Sequence, residues 1–452
     1  MKVPENALWG ASTQRAVLNF PISGRPMPPA FIRGLGLVKL AAAQANGALG
    51  RLGPEKGRLI EQAAREIAEG EHAEQFPVDV FQTGSGTSTN TNVNEVIARR
   101  ATQLAGGAPG TPLAVHPNDE VNLGQSSNDV IPTALHVSVA LVLHWELVPA
   151  LEALAAAIEK KSVEFASVVK LGRTHLMDAT PLTLGQEFSG YASQVRKSVA
   201  RVQRAIGVIG ELAIGGTAVG TGLNTHPDFA AHVCRILTAE TGIAFQEARN
   251  HFEAQAARDD CVEVAGDLVA VAASLTKIAN DIRLLGSGPR GGLAELKLPV
   301  IQPGSSIMPG KANPVLSEML VQVGLYVQGL MQTVMACGRE GHLELNATLP
   351  LIAHCLHEAI PCLANGARVF AEKCVRGLEA DVERCREYTE RSLMLVTALT
   401  PHIGYDAAAQ AGKEAFETGR SLREVVLARG LMAAADLDRA LDPVTMTRAG
   451  GS

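Results

Sequence analysis

The chain has 452 residues, enough for several domains or one large bundle. Its 40 Lys and Arg against 46 Asp and Glu leave a formal charge of −6, a mildly acidic balance that argues against a general nucleic-acid binder. Hydrophobic residues at 46% and charged residues at 19% exclude disorder, and aromatics at 4% require an aliphatic, Ala-rich core of packed helices rather than a β-sandwich.

Residues 1–126 are rich in Gly, Pro, Asn and Thr, with short helical patterns, and read as an N-terminal mixed, mainly helical domain. The first six residues carry neither an apolar signal core nor an Arg-rich lead, so an unprocessed, soluble, cytoplasmic protein is expected. No uninterrupted apolar run reaches about 18 residues. The most apolar stretch, 137–157, is broken by His144, Glu146 and Glu152.

Residues 127–385 carry long apolar seams and are read as a central long-helix domain. One seam runs Leu184, Phe188, Tyr191, Val195, Val199, Val202, Ile206, Ile209. The strongest lies between His251 and Gly286: Val264, Leu268, Val271, Leu275, Ile278, Ile282 and Leu285 alternate spacings of 4 and 3. A third runs Leu316, Leu320, Val323, Val327, Leu330, Val334. Helices this long need long partners to cover their stripes, which points to an elongated antiparallel bundle. Residues 386–452 form a small C-terminal helical domain, with short helices predicted over 392–399, 405–417, 421–428 and 433–441, punctuated by Pro401, Gly419 and Gly430. Seven Cys without a C-x-x-C spacing read as buried, reduced thiols rather than as disulfides or a zinc ribbon.

Four polar, nearly uncharged clusters interrupt these patterns where long helices are predicted to begin. They are Thr83-Gly-Ser-Gly-Thr-Ser-Thr-Asn-Thr-Asn-Val-Asn-Glu95, the stretch from His116 to Asp129, Gly172-Arg-Thr-His-Leu-Met-Asp-Ala-Thr-Pro181, and Gly304-Ser-Ser-Ile-Met-Pro-Gly-Lys-Ala-Asn-Pro314. In three of them a capping residue stands near a Pro suited to a first helical turn: Ser126 to Asp129 before Pro132, Thr180 before Pro181, and Asn313 before Pro314. Helix N-termini expose unpaired N–H groups and favour anions. Each cluster alone is satisfied by ordinary capping; spacing does not decide whether they converge. Their only cations are Arg173 and Lys311, so an anion bound there rests mainly on hydroxyls, amides and N–H groups, which suits carboxylates better than phosphates. Residues 304–314 read equally as a surface loop or as a hinged loop that closes over a ligand, with Lys311 as an anion clamp. The Gly-rich run 215–222 lacks the G-x-G-x-x-G spacing of a nucleotide loop. His354 and His357 share a helix face without completing a ligand motif, and no metal is expected.

At these clusters the sequence resembles the fumarase/aspartase superfamily, and most closely the class II fumarate hydratases. The fourth cluster looks like the superfamily signature, and the resemblance runs from Leu8-Trp-Gly-Ala11 to Thr400-Pro-His-Ile-Gly-Tyr405 and Ser421-Leu-Arg-Glu424. It implies an all-α, three-domain fold with a central bundle of five long helices. It also implies a homotetramer whose bundles merge into one helical core, with each active site built from three subunits. The activity implied is reversible hydration of fumarate to (S)-malate through an aci-carboxylate, without cofactor. By position, Ser305 corresponds to the base at C3, His175 acts at the C2 hydroxyl polarised by Glu318, and Lys311 and Asn313 bind a carboxylate, with Ser306 as a further donor. Ser85, Gly86, Thr87, Ser126, Ser127, Asn128 and Thr174 complete the substrate contacts. His116, Pro117, Asn118 and Asp119 resemble an accessory anion site, although Leu113 and Ala114 stand where some relatives carry basic residues. Aspartate ammonia-lyases, the nearest alternative, typically have Gln at the position of His175 and Thr at that of Ser127. A catalytically retired structural protein is disfavoured because Ser305, His175, Lys311 and Glu318 are all present. The stretch 341–346 departs mildly from the fumarate hydratase pattern.

Overall fold

The computed structural model describes residues 2–108 and 111–449. In chain order the helices before the first hairpin are α1 (Ala11–Asn19), α2 (Pro29–Ala48), α3 (Pro54–Glu69), α4 (Thr87–Leu104), α5 (Ser127–Val142) and α6 (Val148–Glu164). Strands β1 (Val169–Thr174) and β2 (Met177–Thr183) lead into α7 (Leu184–Val208), followed by β3 (Glu211–Leu212), α8 (Phe229–Thr241), β4 (Gln246–Glu247), α9 (His251–Ala256) and α10 (Asp259–Leu285). Next come β5 (Leu296–Lys297), α11 (Val315–Gly338), β6 (Gly341–His342), β7 (Leu345–Asn346) and α12 (Leu349–Lys373). The chain ends with β8 (Glu379–Ala380), α13 (Val382–Arg391), α14 (Thr400–Ile403), α15 (Tyr405–Thr418), α16 (Leu422–Ala428) and α17 (Ala434–Ala440). The strands form only two-stranded ladders. The fold is all-α, as expected.

A wide turn joins α5 to α6, giving one helical stretch of 38 residues; α7, α10, α11 and α12 have 25, 27, 24 and 25 residues. The seams anticipated α7, α10 and α11; the family resemblance implied five long helices. All seven residues of the strongest seam are buried. The helix carrying it starts at Asp259, not at His251: Asn250 caps the separate α9, and the chain is extended at Ala257 between the two. On α7 the seam is buried except at Ile206, whose place is taken by Ala205. On α11, Val323 and Leu330 are only half-buried, and Leu325 and Tyr326 are exposed. Two helical stretches, Ser127–Glu164 and Val315–Gly338, are long and apolar enough to cross a membrane by length and composition; a core helix meets the same test.

The chain divides into two compact units. The first comprises Met1–Ala150, Ser198–Ala273 and Val323–Asn365; the second comprises Leu151–Lys197, Ser274–Gln322 and Gly366–Ser452. In the first unit α2 packs against α3, α5 and α8, with Phe31, Leu35, Ile60, Ile131 and Phe229 fully buried. In the second unit Leu395, Leu399, Ala411, Ala415, Leu422, Val425, Val426, Leu437 and Ala440 form a separate core beneath the short C-terminal helices. The predicted helices are present there, with a tight 3-10 stretch at Leu393–Leu399. Pro401 opens the short α14 rather than interrupting a chain segment. Ser421 and Glu424 cap α16 reciprocally.

Six of the seven cysteines are buried and all are free. Burial pushes the Cys234, Cys355, Cys374 and Cys385 thiols up to about 12. His357, read from sequence as structural, is buried with its Nε2 2.8 Å from Ser138 Oγ. Burial pushes His357 down to about 3, so it is neutral when folded and charged when unfolded below its ordinary 6.5. The unfolded chain therefore binds the extra proton in acid, and stability drops as pH falls below about 6.5. The melting temperature should decline from about pH 7 to about pH 5, and His357→Gln should make that decline shallower; equal slopes in calorimetry would show that His357 does not contribute.

Candidate active site

In the first unit two helix N-termini lie side by side and are lined with hydroxyls. Gly86 caps α4 with φ +72, a conformation natural to glycine, and a Cβ there would meet Ile131 at 2.8 Å. Ser85 Oγ lies 2.8 Å from Thr87 Oγ1, which lies 2.7 Å from Ser127 Oγ, so one chain of hydroxyls joins α4 to α5. Gly84 holds this edge in place: Leu349 N donates to its carbonyl at 3.0 Å, and a Cβ would sit 1.8 Å from Ala347 O.

Ser126 is the N-cap of α5, accepting from Asn128 N at 3.2 Å, while Asp129 Oδ1 accepts from Ser126 N at 2.9 Å. Pro132 falls inside the helix, beyond the first turn where its spacing from the cap had suggested it. Asp129 Oδ2 accepts from Gly215 N at 3.0 Å and Thr217 N at 2.9 Å, and Asn128 Nδ2 donates to Ala218 O at 2.9 Å. The Gly-rich run 215–222 is thus a brace behind Ser126, Ser127 and Asn128. Burial pushes the Asp129 carboxyl up to about 6, opposed by those backbone N–H groups and by Lys39.

The third polar cluster is not a helix start. Residues 169–183 form an antiparallel hairpin in which Thr174 pairs with Met177, and Thr180 and Pro181 lie inside β2. A period-2 apolar alternation is missing there, so the strand left little trace in the sequence. His175 and Leu176 make the two-residue turn with φ +57 and +62, and both are exposed. Gly172 sits at a bulge where a Cβ would approach Thr180 O to 2.4 Å. Arg173 is not free for a ligand. Its Nη1 contacts both oxygens of the fully buried Glu295, at 2.9 and 3.0 Å, and its guanidinium stacks 5.2 Å from the Tyr388 ring. Lys170, also buried, adds a second cation 3.4 Å from Glu295.

The fourth cluster, also in the second unit, is a loop tied at its base. Gly304 N donates to Lys311 O at 2.8 Å and Asn313 Nδ2 donates to Gly304 O at 2.6 Å, so Asn313 closes the loop instead of capping α11. Ser305 Oγ accepts from Ile307 N at 3.3 Å and Met308 N at 3.1 Å. Ser306 and Lys311 are exposed, and among the described residues the Lys311 ammonium has no ion pair. A cavity of about 800 Å³ borders Lys311 and Asn313; its other cations Lys297, Arg384 and Arg386 are paired with Asp381, Glu387 and Glu383. Glu318 lies in the first turn of α11, and among the described residues no hydrogen bond joins it to His175.

The remaining segment, Pro117–Val121, is one wide helical turn in the first unit. Its groups are bonded locally: His116 Nδ1 accepts from Asp119 N at 3.1 Å, and Glu120 accepts from His116 N at 2.7 Å and pairs with Lys56. Glu66, Glu71 and His72 are near enough to one another to share a cation, but Arg100 already neutralises Glu66 through two hydrogen bonds of 2.6 and 3.0 Å. Sequence reasoning passed over Lys39, Asp129 as a brace, and Glu295. Lys39 had one signal, a charge set between Val38 and Leu40 in an apolar helix; Glu295 had none.

The structure therefore gathers Ser85, Gly86, Thr87, Ser126, Ser127 and Asn128 into one hydroxyl-rich strip of the first unit. It places Thr174 and His175 on a hairpin, and Ser305 to Asn313 on a loop, of the second. Comparison with known proteins agrees with these motifs. A lyase family model matches residues 1–329 and a fumarase C C-terminus model matches 395–448. The chain is 51% identical over 454 residues to a class II fumarate hydratase of Mycobacterium tuberculosis, covering 99% of this chain and 94% of that one. A class II fumarate hydratase of Pseudomonas aeruginosa is 50% identical over 450 residues, with 100% and 97% covered. The crystal structure of a class II fumarase from Schistosoma mansoni superposes with a TM-score of 0.97 at 41% identity, covering 100% and 98% of the two chains. On this full-length similarity, the chain belongs to the class II fumarate hydratase family of lyases.

Proposed function

We propose that this chain is a fumarate hydratase, a hydro-lyase that reversibly adds water to fumarate to give (S)-malate, a reaction of the tricarboxylic acid cycle. The observation that carries the reading is half-identity to class II fumarate hydratases along essentially the whole chain. In the dehydrating direction Ser305, as alkoxide, takes the C3 proton of malate. The C–H pair passes into the adjacent carboxylate and forms an aci-carboxylate. The C2–O bond then breaks, and His175 protonates the departing hydroxide to water, with Glu318 polarising the ring.

Two features support these roles. A serine hydroxyl is a weak base unless its anion is stabilised, and Ser305 Oγ already receives two backbone N–H groups. Lys311, in the same loop, is a cation without an ion pair among the described residues, fit to bind a carboxylate with Asn313 and Ser306. Ser85, Gly86, Thr87, Ser126, Ser127 and Asn128 suit the other carboxylate, as donors at two helix N-termini. Thr174 adds a hydroxyl beside His175. We further infer a cytoplasmic homotetramer in which strip, hairpin and loop from three subunits line each site. The exposed Leu325 and Tyr326 on the otherwise apolar α11 support a partner helix there. The regions 1–126, 127–385 and 386–452 remain the functional division; the separate C-terminal core and the match over 395–448 support its last part. His116, Pro117, Asn118 and Asp119 stand as a candidate accessory anion site that lacks a free lysine of its own, since Lys56 is held by Glu120 and Lys39 by Asn122 and Gln125 among the described residues.

The purified protein should raise the ultraviolet absorbance of a malate solution as fumarate forms, with no dependence on ammonium. A requirement for ammonium in the reverse direction would replace hydration by deamination. Ser305→Ala should lower kcat by at least about 100-fold with the melting temperature unchanged. Turnover near wild type would remove Ser305 from the role of base. His175→Asn should lower kcat by about 100-fold with a KM shift under about threefold; the reverse pattern would make it a binding residue.

A further inference from the structure

One charge stands inside the apolar face of α2. Lys39 lies between the buried Val38 and Leu40, is itself fully buried, and takes part in none of the steps above. Its ammonium donates at 2.9 Å to Asn122 Oδ1 and at 2.9 Å to Gln125 Oε1. Asn122 Oδ1 also accepts from Asn90 at 3.2 Å and Asn94 at 3.3 Å, both on α4. Asn122 Nδ2 donates to Gln125 O at 3.0 Å, and Gln125 Nε2 donates to Val121 O at 3.1 Å and Leu123 O at 3.2 Å. Asn46, further along α2, donates to Leu123 O at 2.9 Å. The turn held in this way runs directly into Ser126, the cap of α5. Neutral side chains could supply hydrogen bonds to Asn122 and Gln125; the feature peculiar to lysine is its positive charge, which burial makes expensive to keep.

We propose that Lys39 is a positioning residue for the dicarboxylate: its ammonium fixes the 121–125 turn, and so the aim of Ser126, Ser127 and Asn128, and places a positive charge behind that strip. The proposal rests on reading the strip as substrate-binding. The groups around Lys39 are neutral except one: Asn90 and Asn94 from α4, Asn122 and Gln125 from the turn, and Asp129 from α5. Among the described residues no charged group of α3 or α8 acts on it. Burial lowers Lys39 to about 7, with Asp129 pulling the other way. Below that pH it is an ammonium; above it, a neutral amine that keeps two N–H groups but no charge. Affinity for a dianion therefore weakens as pH rises through about 7.

Malate kinetics of the intact enzyme from about pH 6 to about pH 9 test this. Lys39→Met should raise KM about tenfold at the acid end with kcat changed less than about threefold. The rise of KM across neutrality seen in the wild type should be absent in the variant. Gln125→Glu, which sets a carboxylate against the ammonium, should move that rise to higher pH and serves if Lys39→Met does not fold. A folded Lys39→Met with wild-type KM and pH profile overturns the proposal, as does an unmoved profile in Gln125→Glu. Asn128→Ala separates the two readings. If it leaves KM unchanged, the strip is not substrate-binding; if it raises KM while Lys39→Met does not, only the role of Lys39 fails.

Discussion

The carboxylate of Asp129 ties the start of α5 to the Gly-rich run 215–222. It accepts backbone N–H groups from Ser126, Gly215 and Thr217, donors separated by almost ninety residues of sequence. The Gly215 and Thr217 N–H groups would otherwise be buried without that partner, at a cost of roughly 1–3 kcal/mol apiece. Because Asp129 also closes the capping box of α5, the same side chain sets where that helix begins. Ser126, Ser127 and Asn128 inherit their positions from it, and Thr87 and Ser85 follow through the hydroxyl chain. Hydroxyls are short and reorient freely, so a rigid frame must hold them if they are to bind a ligand in one geometry.

Cations in the polar clusters are scarce because most nearby ones serve the fold. Arg173 and Lys170 are held by Glu295, and Lys56 by Glu120. Lys311 remains. This scarcity fits an enzyme whose substrate and product are both dianions. Strong fixed charge would bind both ground states tightly and gain nothing for the barrier between them. Neutral donors bind carboxylates moderately. In the proposed mechanism the extra charge of the aci-carboxylate is met by Lys311, which stands in the same loop as Ser305.

The long helices were legible because their seams repeat over many turns; Leu268, Leu275 and Ile282 could be placed in the core from spacing alone. Capping chemistry was legible at Ser126. The hairpin at 169–183 was not, because its strands are short, one contains a proline, and their partners are each other rather than a core. Reading Thr180-Pro181 as a helix start failed for the same reason: a Pro after a hydroxyl residue fits an edge strand as well as a first turn. Lys39 and Glu295 were hidden for a different reason. Buried charges are defined by what surrounds them, and Lys39 draws its hydrogen-bond partners from 83 and 86 residues away.

The tip of the hairpin carries the argument for assembly further than composition does. His175 and Leu176 both occupy the left-handed region, which costs a side-chain-bearing residue on the order of 1 kcal/mol each. The ladder pairing Thr174 with Met177 and the Arg173–Glu295 anchor pin the turn in that form. What the strain achieves within one chain is small: Leu176 and Met177 are 74% and 69% exposed, and His175 makes no hydrogen bond among the described residues. A turn that is strained, anchored by buried charge and tipped with apolar side chains makes sense as an element shaped to fit another surface. In the homotetramer proposed above, a neighbouring subunit would be that surface, covering Leu176 and Met177 beside the exposed His175.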